Sequence, residues 1–337
     1  MTDSDRHGLR GPVKTVISES FDWDAKAGAV NEKPRQREEL TFSSQGNLIE
    51  SISQFEGRLI QRSTNVYDED SRLREIRFHN SDGTQSSLPM KYDQHGQPIR
   101  FGATVTYSSE NGRKIKTEVF EPKTPGVDRA VGFEDSPSQA TFWSTGNAAV
   151  AATFFDPTGR PAEMVLYDDE HVKIYKHVRT YDERGRVTSE ECQTLSPRVF
   201  TSQQGTQGEV MPEEMAQLFA RILSQGPMRV TYKYDDQDRV IEQTQVTGLF
   251  GYERTVSVFN EYGDLSKQQT YSTRTDIRVD EEGNIPKLPP VPERLASESE
   301  FSYLYDERGN WTHKRIATLH HPKSRWESVE TRSVTYY

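Results

Sequence analysis

Cysteine is almost absent from this sequence. Cys192 stands alone, so no disulfide can form within the chain and stability must come from packing. Without a recognisable His-Asn partner pattern, the lone thiol reads as an inert small residue rather than a nucleophile. Long apolar runs are also missing, and the longest nearly apolar stretch, 148–155, is far too short to span a bilayer. No block of Lys or Arg breaks the net charge of −10, which disfavours nucleic acid as a partner because phosphates need clustered positive charge. There is no GxxxxGK[ST] loop, GxSxG elbow, HExxH pair or CxxC pair. The first ten residues, MTDSDRHGLR, lack the apolar centre of a signal peptide. As it stands the sequence therefore reads as cytoplasmic, with export or the cell envelope as the alternative if a signal has been removed.

What the sequence has in quantity is one short phrase. An aromatic residue is followed by Asp or another polar residue, two variable positions, Gly, and then commonly Arg or Asn. It reads FSSQGN at 42–47, YDQHGQ at 92–97, FDPTGR at 155–160, YDERGR at 181–186, FNEYGD at 259–264 and YDERGN at 305–310. Worn copies begin at Tyr67 (YDEDSR) and Tyr234 (YDDQDR), where Ser71 and Asp238 stand in the glycine position, and others read FWSTGN at 142–147 and VDEEGN at 279–284. Tyr67 lies 25 residues after Phe42, Tyr92 lies 25 after Tyr67, and Phe259 lies 25 after Tyr234. A recurring period of this size means that one supersecondary unit is stacked many times.

The chemistry of the phrase points to a hairpin turn. Residues before it alternate, as in Met228, Val230, Tyr232 and Tyr234, which marks a strand with one buried face. Asp can bond its own backbone in a turn, and Gly three residues later accepts positive φ at little cost. Leu48, Val187, Val240 and Leu265 then restart the next strand. The repeat aspartates Asp68, Asp93, Asp156, Asp182, Asp235 and Asp306 are accordingly expected to be turn formers rather than acid/base or calcium groups.

On these phrases the chain resembles the YD-repeat, or RHS-repeat, family over most of residues 11–337, and the opening GLRGPVKTV at 8–16 is similar to the start of stand-alone bacterial members. The resemblance implies a stand-alone protein without a toxin domain, from a family that includes toxin shells, cell-surface and adhesion proteins and some members associated with carbohydrate binding. The expected fold is all-β: a continuous antiparallel meander of YD-repeat hairpins, about 16 to 20 strands, in a curled or rolled sheet with one inserted amphipathic helix. Residues 1–10 read as a polar tail and 11–337 as the repeat domain.

Three segments interrupt the repeat. The sequence predicts a long loop at 121–138 and a loop–helix insertion at 195–226. Its helix at 211–225 carries Met215, Leu218, Phe219, Ile222 and Leu223 as one apolar stripe. PKLPPVPER at 286–294 predicts a stiff extended connection.

Candidate chemistry is sparse. His171 and His177 are an even six residues apart, a spacing that lets both project from one strand face, and His313, His320 and His321 are spaced so that a hairpin could bring them together. Both groups read as surface histidines rather than a metal site. No catalytic, cofactor-binding or metal-binding residues are assigned, and no cofactor is expected. The functional expectation is a non-catalytic binding or scaffold protein that uses an aromatic-rich repeat surface for carbohydrate or protein. The alternatives are an immunity-like protein that neutralises a basic partner, or an enzyme whose site is formed only by the fold.

Overall fold

The computed structural model describes residues 2–24, 29–79, 83–96, 98–99, 103–120, 148–196, 227–247, 251–274, 292–321 and 324–337. The expected helix at 211–225, the loop at 121–138, nearly all of 195–226 and most of 286–294 lie outside these residues, as do the phrases at 142–147 and 279–284. Among the described residues the chain is all-β, with 22 strands and one turn of helix, α1 (Asp3–Arg6). Twenty of the strands form an antiparallel sheet, built largely as a meander.

In chain order the strands begin with β1 (Val13–Asp24), β2 (Ala29–Val30), β3 (Gln36–Phe42), β4 (Leu48–Phe55), β5 (Arg58–Tyr67), β6 (Leu73–His79), β7 (Gln85–Pro89) and β8 (Lys91–Tyr92). There follow β9 (Pro98–Ile99), β10 (Thr104–Glu110), β11 (Arg113–Val119), β12 (Val150–Phe155), β13 (Pro161–Tyr167), β14 (Lys173–Tyr181) and β15 (Val187–Thr194). The last seven are β16 (Met228–Tyr234), β17 (Val240–Thr247), β18 (Gly251–Phe259), β19 (Leu265–Arg274), β20 (Arg294–Tyr305), β21 (Trp311–His320) and β22 (Ser324–Tyr336).

The strands divide into two compact units. Unit 1 comprises Met1–Tyr92, Val258–Gln269 and Ala296–Tyr337, and unit 2 comprises Asp93–Ser257 and Thr270–Leu295. Unit 1 departs from a simple meander, because β1 pairs with both β3 and β22, so the two chain ends lie side by side within the sheet. Its core gathers Leu9, Val13, Val16, Leu40 and Phe42, with Leu48, Val334 and Tyr336 against it. Residues 2–10, read as a polar tail, hold the first turns in place. Thr2 caps α1 in a capping box, and the Asp3 carboxylate accepts from the Leu48 amide and the Tyr67 hydroxyl. The GLRG stretch also has a structural task here: Leu9 is buried, and the Arg10 amide donates to Asn310 Oδ1 at 2.7 Å while its guanidinium donates to the Tyr262 carbonyl at 2.6 Å.

Unit 2 runs as a meander from β10 to β17. Alternation decides its faces: in β16, Val230 and Tyr232 are buried whereas Arg229 and Lys233 are exposed. One core cluster contains Ala151, Met164, Leu166, Ile174, Tyr175 and Cys192, and a second contains Val187, Val230 and Tyr232.

The repeat phrase forms the same turn in both units. In the turn at Asp182, the Asp182 amide donates to the Arg186 carbonyl at 3.0 Å and the Gly185 amide donates back to the Asp182 carbonyl at 3.0 Å. One carboxylate oxygen of Asp182 accepts from the Arg186 amide at 2.9 Å and the other from Arg186 Nε at 2.7 Å. Gly185 has φ +82°, the left-handed region the turn demands; Ser71 and Asp238 occupy the same region at +61° and +62°, so the worn copies keep the turn at a conformational cost. A second bond sets the period. In four repeats the tyrosine hydroxyl reaches back to the first strand carbonyl of an earlier repeat, Tyr67 to Leu48, Tyr92 to Leu73, Tyr181 to Pro161 and Tyr234 to Val187, whereas the Tyr305 hydroxyl donates to the Asp264 carboxylate. The turn arginines complete the ladder, with Arg160 over the Tyr181 ring and Arg186 over the Tyr234 ring. The bond survives an insertion between the strands, since Tyr234 reaches Val187 across 47 residues where Tyr67, Tyr92 and Tyr181 span 19 or 20.

Candidate functional site

The turns consume their own carboxylates. Partial burial acts to raise the pKa of Asp156, but the Arg160 and Thr158 amides, the Thr158 hydroxyl and the Arg160 side chain hold it down to about 2. Burial likewise opposes, and hydrogen bonds outweigh, in Asp182, Asp235 and Asp306, whose pKa values are lowered. These groups stay ionised and engaged, as turn formers do.

The histidines do not assemble as the sequence suggested. His171 is not on a strand: it holds the glycine position of a worn turn, with φ +61°, and is exposed, whereas His177 is inside β14 and fully buried. His313 and His320 both belong to β21, an odd seven residues apart and hence on opposite faces, and His321 follows the strand end; no hairpin brings them together. Among the described residues no group of three or more His, Cys, Asp or Glu side chains is placed to hold a metal ion. Burial pushes the Cys192 thiol up to about 12, so it is protonated and a poor nucleophile.

Two polar clusters escaped the sequence reading. The first lies within unit 2. Glu190 is fully buried and accepts from Arg179 Nε at 2.8 Å and from the Tyr232 hydroxyl at 2.6 Å, while His177 Nε2 stands 3.6 Å from its Oε1. Burial lowers the pKa of His177, against the pull of Glu190, and so favours the neutral ring. A partial signal was present in the sequence, since Tyr175, His177, Arg179 and Tyr181 alternate along one strand; their carboxylate partner comes from β15 and was not legible.

The second cluster is a cleft of about 250 Å³ on the sheet of unit 1. Pairing sets two rows across three strands: Arg332 of β22, Ser18 of β1 and Glu38 of β3 in one, and Glu330, Ser20 and Gln36 in the next. Directly paired residues share a face, and Ser18 and Ser20, two apart, share it with each other. Small serines on the central strand form a floor, and the longer side chains to either side form walls about 10 Å apart, two strand spacings. Trp311 lines one end, and the Arg332 guanidinium lies over its ring at 3.7 Å.

The electrostatics of this cleft are unusual for the molecule. Elsewhere on unit 1, charges pair directly, as in Arg62 with Glu50 at 2.7 Å and Arg315 with Glu327 at 2.6 Å. In the cleft Glu330 pairs with Lys314 at 3.0 Å, but Arg332 and Glu38 make no ion pair among the described residues. Arg332 Nε is buried and has no hydrogen-bond partner among them. Desolvation lowers the pKa of Arg332, while Glu330, Asp264 and Glu38 act to raise it. Arg332, Glu38, Gln36, Ser18 and Ser20 thus line a space of about 250 Å³ with charged and polar side chains.

No protein-family model matches the chain, and no curated protein matches it. Among solved structures it is similar to a porin-like protein from Bacteroides uniformis, at 8% identity and a TM-score of 0.33, covering 97% of this chain and 98% of that one. A LolA superfamily protein from Nitrosomonas europaea matches at 12% identity and a TM-score of 0.20, covering 58% and 83%. At such scores neither likeness carries weight for function. No described helix is long and apolar enough to cross a membrane.

Proposed function

We propose that the chain is a non-catalytic binding protein of the YD-repeat kind, in which repeated hairpins form a rigid support and the polar cleft of unit 1 takes the ligand. The observation that carries this reading is that Arg332 and Glu38, flanking Ser18 in the cleft that Trp311 also lines, make no ion pair among the described residues. The turn carboxylates being saturated by their own amides, and the Cys192 thiol being buried and protonated, both favour binding over catalysis. Carbohydrate and protein are the two ligand classes to which such a surface is suited.

The test is affinity capture from the source organism with the purified chain and with a Ser18→Leu variant, whose side chain fills the cleft floor. Captured protein and glycan are both identified, and a broad hydrolase screen runs alongside. Material retained by the wild type and lost with the variant is the expected result. Turnover abolished by a single carboxylate change would replace the binding reading with an enzyme whose site the fold creates.

A further inference from the structure

We infer that a row of four side chains in unit 2, Met164, His177, Cys192 and Met228, binds one soft monovalent metal ion, copper(I). The site is separate from the cleft of unit 1 and does not depend on the binding reading above.

The row follows from the strand register. Met164 of β13 pairs with His177 of β14, His177 with Cys192 of β15, and Cys192 with Met228 of β16. Directly paired residues share a face, so the four side chains stand side by side across four strands. Met164, His177 and Cys192 are buried, and Met228 packs partly buried against the same core cluster as Met164 and Cys192. The row therefore runs from the core towards the surface, and its Met228 end gives an ion the way in.

Donor type selects the metal. Among the described residues no three of His, Cys, Asp and Glu meet to hold an ion, as zinc and the harder cations require. The row offers instead one thiolate, one imidazole and two thioethers, the donors that select copper(I). His177 and Cys192 stand one strand spacing apart, about 4.8 Å. Metal–nitrogen and metal–sulfur bonds of about 2.0 and 2.3 Å come close to spanning that distance. The methionines on either side, flexible about three bonds, can turn a thioether to the ion.

Charge points the same way. On binding, the Cys192 S–H bond breaks, an S–Cu bond forms, the proton leaves to solvent and no electron is transferred. One monovalent cation replaces another, so the core gains no net charge. A divalent ion would leave an extra positive charge near the buried Arg179, at a cost in desolvation.

Two neighbours are placed to support the ion. Glu190 Oε1 stands 3.6 Å from His177 Nε2, so a proton held there leaves Nδ1 to the metal, as ligating histidines commonly turn their second N–H to a carboxylate. The Tyr175 hydroxyl is buried close to Cys192 and makes no hydrogen bond of normal geometry among the described residues. A metal-bound thiolate is a stronger acceptor than a thiol, so binding gives this donor a use.

The experiment is anaerobic titration of the full chain, purified without an affinity tag, with copper(I) held by the chromogenic chelator bicinchoninate. The chain should take up one copper(I) and release one proton per ion. X-ray absorption at the copper edge should show one nitrogen and at least one sulfur neighbour. Cys192→Ala should abolish uptake, and the volume-conserving Met228→Leu should weaken it about tenfold. If circular dichroism shows that Cys192→Ala does not fold, Met164→Leu and Met228→Leu carry the test. Copper(I) left with the chelator, uptake that Cys192→Ala does not change, or a spectrum without sulfur would overturn the inference. So would zinc(II) bound more tightly than copper(I), or an affinity that neither methionine change alters.

Discussion

The two polar clusters of this molecule use similar residues to opposite ends. In unit 2 a buried glutamate, Glu190, is met at hydrogen-bond distance by Arg179 and Tyr232 with no exposure to solvent. In unit 1 a glutamate and an arginine, Glu38 and Arg332, sit on strands flanking a common neighbour and do not meet. The difference lies in what stands between and beside them. Arg179 and Glu190 are directly paired residues of adjacent strands, so their side chains close one strand spacing. Arg332 and Glu38 are separated by a serine strand, and Trp311 holds the guanidinium down. A carboxylate met on both oxygens inside the core supports the fold, whereas charges kept two strands apart leave room between them.

This contrast predicts that breaking the closed cluster costs stability, whereas altering the open one leaves stability largely intact. The largest expected effect is at Glu190. Glu190→Leu strands a buried guanidinium and should destabilise by about 3–5 kcal/mol in urea unfolding. The double change Arg179→Met with Glu190→Leu should cost clearly less than the sum of the two single changes. Additive costs would show that the pair is not coupled.

The turns come next. Gly185→Val forces a branched side chain to φ +82° and should cost about 1–3 kcal/mol, with an unchanged melt arguing against the turn assignment. Tyr181→Phe deletes the hydroxyl that reaches the Pro161 carbonyl at 2.6 Å and should cost about 0.5–1.5 kcal/mol. A stability loss within error would separate the repeat period from this bond. Glu38→Gln, by contrast, should leave the urea midpoint within error of the wild type, because the Glu38 side chain makes no ion pair or hydrogen bond among the described residues.

Acid should act through unit 2. The folded pKa of His177 lies below its ordinary value of 6.5, chiefly because burial disfavours the charged ring, so the unfolded chain binds more protons as pH falls through that value. His177 therefore supports full stability above about pH 6.5 and loses its contribution progressively as pH drops towards the folded pKa. Urea midpoints of wild type and His177→Gln across pH 8 to 5 should diverge below that point, with the wild type falling more steeply. Parallel curves would mean that His177 is not held neutral.

Much of the fold is legible in the sequence because its signal is local. The alternation of Val230 and Tyr232 against Arg229 and Lys233, and the positive-φ glycine after an acidic turn residue, are rules that act within a few positions. The phrase also led to the correct reading of its aspartates, now seen accepting from their own turn amides. What was not legible is long-range pairing. Nothing in SES at 18–20 announces that β1 will lie between β3 and β22, and without that placement Ser18 cannot be seen as the floor between Arg332 and Glu38. For the same reason the even spacing of His171 and His177 misled: the spacing presumes one continuous strand, and a worn turn at His171 ends that premise. Glu190 was hidden in turn because its partners come from two other strands.

The central claim, that the open polar cleft is where a ligand meets this protein, is tested most directly by the arginine side-chain Nε–H resonances of the nitrogen-labelled chain. Arg332→Lys assigns the Arg332 signal by its disappearance. Titration with the captured ligand should shift that resonance and saturate with the same dissociation constant as calorimetry, while the signal of the closed Arg179 stays in place. Saturable binding that leaves the Arg332 resonance unmoved would contradict the account.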